Sequence, residues 1–181
     1  MNPSPATERG SFLESTMEHT ARVIDLCCGS RMMWFNRQHP DVIYGDKRSE
    51  SHVLCDGRQL HIKPDMLMDF RALPFADESF HLVVFDPPHL KHAGPNSWLR
   101  AKYGVLEEGW REDIRQGFSE GFRVRASNGT LIFKWAEDQV KTREVLELAP
   151  HPPLFGHPTG RKGLTHWMVF MKPKTQQPQP R

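Results

Sequence analysis

Four short apolar runs in this chain each close on an aspartate, and that pattern constrains the fold more than any other feature. Arg22 to Leu26 carries Asp25, Val42 to Asp46 ends on Asp46, Asp65 to Phe70 carries Asp69, and His81 to Phe85 runs straight into Asp86. Short runs that are apolar throughout read as strands buried on both faces, the habit of a parallel sheet covered by helices. Ligands of such sheets bind beyond the carboxyl ends of the strands. Any one of these aspartates alone would be an ordinary turn residue. Four of them, in chain order, point to a ligand rim.

The other segments fit the same architecture. Thr130 to Trp135 and Thr165 to Met171 are further strands. His52 to Cys55 and Arg58 to Ile62 flank Asp56-Gly57, a pair suited to a tight hairpin turn. Helices are expected over Met32 to Gln38, Glu108 to Arg123 and Glu137 to Leu148. The second is the clearest, with Trp110, Ile114, Phe118 and Phe122 spaced as one buried stripe. Trp135 ends a strand and is expected in the core.

At 181 residues with 38% hydrophobic content, the chain suits one globular domain. We expect a flexible segment over residues 1–20, the domain over 21–172, and a disordered Pro/Gln-rich tail over 173–181. No apolar run approaches the roughly 20 residues of a membrane span, and the first residues lack a secretory apolar stretch. Cys27, Cys28 and Cys55 make an odd count without metal-ligand spacing, so no metal site is expected and reduced thiols in a cytoplasm are the plain reading. A net charge of +2 is too small to hold nucleic acid by electrostatics alone, so such contact needs a local patch or a protein partner.

The most specific signal is Asp86-Pro87-Pro88-His89. Proline fixes its own φ and restricts the residue before it, so a Pro-Pro pair after a buried strand makes a stiff, extended exit. That exit holds the Asp86 side chain and nearby carbonyls as fixed acceptors for a planar amine. The following stretch to Leu106 interleaves Lys91, His92, Arg100 and Lys102 with Trp98 and Tyr103. Cations beside rings suit phosphate and bases, and equally suit a packed lid over a site.

On these residues the chain resembles the class I methyltransferases that use S-adenosylmethionine, and among them the amino-methyltransferases with a (Asp/Asn/Ser)-Pro-Pro-aromatic motif. Val23 to Ser30 looks like their first motif, Ala76 to Pro88 like the approach to their catalytic loop, and Asn128 to Lys134 like the strand that follows the helix. The resemblance covers about Ala21 to Lys172 and is greatest to small enzymes of bacteriophages and prophages. It implies a Rossmann-like α/β fold with a mainly parallel seven-stranded sheet flanked by helices. It implies that Asp25, Cys27 and Gly29 hold the methionine part of the cofactor, that Asp46 holds the ribose, and that Asp69 and Phe70 hold the adenine. Asp86, Pro87, Pro88 and His89 would then be catalytic. The expected reaction is methylation of adenine N6 or cytosine N4, in DNA more than RNA, in a bacterial cytoplasm. Two departures stand out: Cys27 and Cys28 occupy positions where glycines are usual, and His89 replaces the aromatic residue that stacks on a flipped base. Methylation of RNA or of a protein amide, or a cofactor-binding subunit without catalysis, are the alternatives.

Overall fold

The computed structural model describes residues 21–171. The expected flexible segment over 1–20 and the tail over 173–181 lie outside the described residues. In chain order the elements are β1 (Val23–Asp25), β2 (Val42–Asp46), β3 (Glu50–Val53), β4 (Gln59–Ile62), β5 (Met66–Leu67), β6 (Phe80–Phe85), α1 (Trp98–Tyr103), α2 (Trp110–Val124), β7 (Arg125–Ala136), α3 (Thr142–Leu146), β8 (Phe155–Thr159) and β9 (Thr165–Met171). Seven strands form one sheet in the order β5-β2-β1-β6-β7-β9-β8. Neighbours from β5 to β7 pair in parallel, and β9 runs antiparallel to both β7 and β8. β3 and β4 form a separate hairpin beside this sheet, turning through Asp56-Gly57 with Gly57 at φ 81°.

Register decides how the aspartates are presented. Asp25 lies level with Tyr44 of β2 and Val84 of β6. Asp46 and Asp86 therefore stand two residues further toward the carboxyl rim, about 6–7 Å at strand rise. Asp69 stands two residues beyond Leu67, the partner of Asp46. The four aspartates share a rim but not a depth, and Asp25 is the deepest.

The main core joins α2 to β6 and β7 through Ile114, Phe118, Val83, Phe85, Leu131 and Phe133. Gly117 and Gly121 let α2 lie close against the sheet: a Cβ at Gly117 would come within 2.5 Å of Phe85 and 2.8 Å of Phe70. Trp135 is wholly buried, and its indole N–H donates to the Val140 carbonyl at 2.9 Å.

The expected helix over Met32 to Gln38 does not form; the segment is a series of turns. Local bonds compete with the helical ladder. Arg31 sits at φ 56° and donates to the Arg37 carbonyl, Asn36 accepts from the Gln38 N–H, and the Asn36 carbonyl accepts from the Tyr44 hydroxyl. The parallel crossover from β1 to β2 thus has no helix. Trp34 covers the sheet there instead, its ring edge-on to Tyr44 at 5.2 Å. The expected helix over Glu137 to Leu148 shrinks to α3, because Glu137 accepts from the Thr142 N–H and the Val140 carbonyl is committed to Trp135. β8 was not anticipated. It is an exposed edge strand with Gly156 and Pro158, residues that weaken a strand pattern.

Candidate active site

The parallel pairing of β6 with β7 sets the chemistry of the rim. Phe85 pairs with Phe133 across β6 and β7, so the next residues, Asp86 and Lys134, meet side by side. Lys134 Nζ lies 2.5 Å from Asp86 Oδ2. Pro87 and Pro88 carry the chain away, and Pro88 packs against Gly104 so closely that a Cβ there would stand 3.2 Å from it. Gly104 also needs φ 71°, which a side chain would resist.

Beyond these strand ends opens a cleft of about 680 Å³. Cys27, Gly29, Asp46, Phe70, Asp86, Pro87, Pro88 and His89 all line it. Asp25 and Asp69 do not. Asp25 has no exposed surface; its carboxylate accepts from the Cys27 N–H at 3.2 Å and from the Trp34 indole at 2.7 Å. It shapes the first turn from beneath. Burial pushes its carboxyl up to about 7, against the downward pull of those two bonds, and Asp86 and Asp46 add to the rise. Asp69 is gripped by Arg71, which also bridges to Asp113; the guanidinium holds its carboxyl below the usual carboxylate range.

Asp46 joins two loops. One oxygen accepts from the Gly29 N–H and the other from the Arg48 N–H, both at 2.9 Å. Gly29 takes φ 51°, the position in the first turn where glycine is needed. Burial raises the Cys27 thiol well above its ordinary value and pushes Cys28 up to about 12, so both are neutral packing groups. His89 is only 7% exposed. Tyr103 and Trp135 pack against its ring at 5.2 and 6.2 Å between centroids. Burial lowers its pKa, with Asp86 pulling the other way. A ring so enclosed is a neutral part of the cleft wall and shows little of its surface to the cleft.

The loop after His89 is held as a lid. Arg48 donates to the Ala101 carbonyl at 3.1 Å, tying the end of β2 to α1. The Gln139 side chain accepts from the Lys91 and His92 N–H groups at 2.7 and 2.8 Å and donates to the His92 carbonyl at 3.0 Å. Ser97 caps α1 through the Leu99 N–H.

No family model matches this chain, and no curated protein sequence matches it significantly. Among solved structures it is similar to the PH0226 protein from Pyrococcus horikoshii OT3, with a TM-score of 0.53 and 16% sequence identity over 87% of this chain and 84% of that chain. The likeness is one of fold. The chain has a Rossmann-like α/β fold with a mainly parallel seven-stranded sheet flanked by helices.

Within that fold, several residues of the cleft and its supports were not singled out by sequence reasoning. Trp34, Arg48 and Gln139 are isolated polar or aromatic residues in loops and carry no periodic signal. Lys134 did carry one: it ends a buried strand adjacent to the strand that delivers Asp86. Among the described residues, no helix is long and apolar enough to cross a membrane.

Proposed function

We propose that this chain is an S-adenosylmethionine-dependent methyltransferase acting on a planar amino group, most simply the exocyclic amine of a nucleobase in DNA. The observation that carries this reading is Asp86, fixed by Pro87 and Pro88 at the wall of a cleft that also presents Asp46 and Phe70. The cleft is of the size that holds ligands of cofactor dimensions.

The donor set fits the cofactor. Asp46 offers a carboxylate to hydroxyl groups, Phe70 an apolar ring to a flat heterocycle, and the turn from Cys27 to Gly29 a close approach of backbone. When bound, the cofactor supplies an electrophilic methyl group on a sulfonium centre. The chain's own task is alignment. Asp86 Oδ2 is engaged by Lys134, and among the described residues Oδ1 accepts no hydrogen bond, so that oxygen is the one to receive an amine N–H. Lys134 holds the carboxylate in one orientation. His89, Tyr103 and Pro88 close the wall behind the amine and limit water.

Calorimetry with S-adenosylmethionine tests the cofactor, and radiolabelled methyl transfer to DNA, RNA and protein tests the acceptor. Binding together with transfer to DNA, slowed about 10²–10³-fold by Asp86→Ala, is the expected result. Absence of binding would overturn the reading. A second reading, a cofactor-binding subunit without catalysis, draws support from the ion pair that occupies one oxygen of Asp86. Binding without transfer to any acceptor would favour it.

A further inference from the structure

We infer that Trp98, on α1, is the platform on which the target base stacks, in place of the residue that follows the Pro-Pro pair. The inference rests on the reading of the chain as a nucleobase methyltransferase and adds the residue that receives the base. His89, next to Pro88 on the cleft wall, is buried between Tyr103 and Trp135. Of the other rings on the cleft wall, Tyr103 is half-buried and packs against His89 at 5.2 Å. Phe70 packs on Phe85 at 5.2 Å, and Trp110 is buried at the start of α2. Trp98 lines the same cleft as Asp86 and is 45% exposed.

Its support is rigid where it needs to be. α1 is tied to β2 through Arg48 and ends at Gly104, which lies against Pro88 of the Asp86 loop. The platform is therefore mounted on the loop that carries the acceptor carboxylate. Its surroundings have the matching charge: Lys102 Nζ stands 5.5 Å from the Trp98 ring and 5.0 Å from the Tyr103 ring, and Arg100 is exposed on the same helix. A base with its phosphate is met by a ring with a cation beside it. A lid that merely shut the cleft would gain by turning the indole inward, and this one leaves nearly half of it in solvent.

The test uses Trp98→Ala and Trp98→Phe in the full chain. Binding of a short mixed-sequence single-stranded oligonucleotide is measured by fluorescence anisotropy, beside a matched oligonucleotide whose bases are abasic. Cofactor affinity, melting temperature and the kcat and KM of transfer are measured in parallel. Trp98→Ala should weaken binding of the base-bearing strand about 5- to 150-fold, the loss of one base–aromatic stack. It should raise KM more than it lowers kcat, and leave abasic binding, cofactor affinity and melting temperature unchanged. Trp98→Phe should recover most of the loss. Equal binding by Trp98→Ala and wild type, an equal loss on the abasic strand, no binding of either strand by wild type, or impaired transfer to protein alone would each overturn the inference. Failure of the cofactor to bind, with the Trp98 effect intact, would instead remove the methyltransferase reading and leave a base-binding site.

Discussion

Asp86 Oδ2 and Lys134 Nζ are 2.5 Å apart, held there by the parallel register of β6 and β7. Both side chains are largely withdrawn from solvent, so the pair is more than a surface contact. Lys134→Met leaves the carboxylate without its cation, and a lost charge-assisted hydrogen bond is worth about 1.5–3 kcal/mol. We expect kcat to fall about 10- to 100-fold with cofactor affinity retained. Lys134→Arg should recover part of it. Asp86→Ala should cost more, about 10²–10³-fold in kcat, as removal of a preorganised hydrogen-bonding partner does. Steady-state kinetics of methyl transfer check both.

Asp25 makes stability depend on pH. Its carboxyl keeps its proton to about pH 7 in the folded chain, against 3.8 for a free side chain. Between those values the folded state binds more protons than the unfolded state. Asp25 therefore contributes a loss of stability as pH rises from about 4 to 7, and no further change above. Trp34 donates to the ionised form, so Trp34→Phe moves the upper end of this window above pH 7. The difference in melting temperature between Trp34→Phe and wild type should grow between pH 7 and pH 8. A difference independent of pH would count against the coupling.

Gly117→Ala offers a gain in helix propensity of roughly 0.5–1 kcal/mol and a collision. The new methyl group would press on Phe85 and Phe70. Overpacking of this kind costs about 1–3 kcal/mol. A net fall in melting temperature is expected, together with weaker cofactor binding in calorimetry, because Phe70 is the cleft residue displaced.

Gln139→Ala removes three hydrogen bonds to the backbone of Lys91 and His92. The side chain is exposed, so global stability should change by about 1 kcal/mol or less. Limited proteolysis should become faster between His89 and Ser97, while the core strands remain protected. Unchanged cleavage would show that the loop is held by other contacts.

Much of this architecture is legible in the sequence, for identifiable reasons. β6 and β2 are apolar runs ended by Asp86 and Asp46, and burial on both faces leaves that composition as its trace. α2 announces itself through Trp110, Ile114 and Phe118. What the sequence conceals is depth and pairing. Asp25 and Asp86 look equivalent as strand-end aspartates, but the register sets one beneath the other, so one is sealed and the other faces the cleft. Met32 to Phe35 is an apolar run that suits a helix by composition, yet Asn36 and Arg31 commit the backbone to local bonds. His89 reads as a stacking residue only until Tyr103 and the more distant Trp135 are folded against it.

The two oxygens of Asp46 have a consequence for experiment. Each already holds one backbone N–H, from Gly29 and from Arg48, and an ionised carboxylate offers about four acceptor sites. Incoming hydroxyls can therefore be added without dismissing the resident partners. A substitution at Asp46 removes a keystone as well as a contact: weakened affinity there would combine a lost ligand bond with the collapse of both flanking loops. Glycine and arginine amides would report that collapse in hydrogen exchange before any ligand is added.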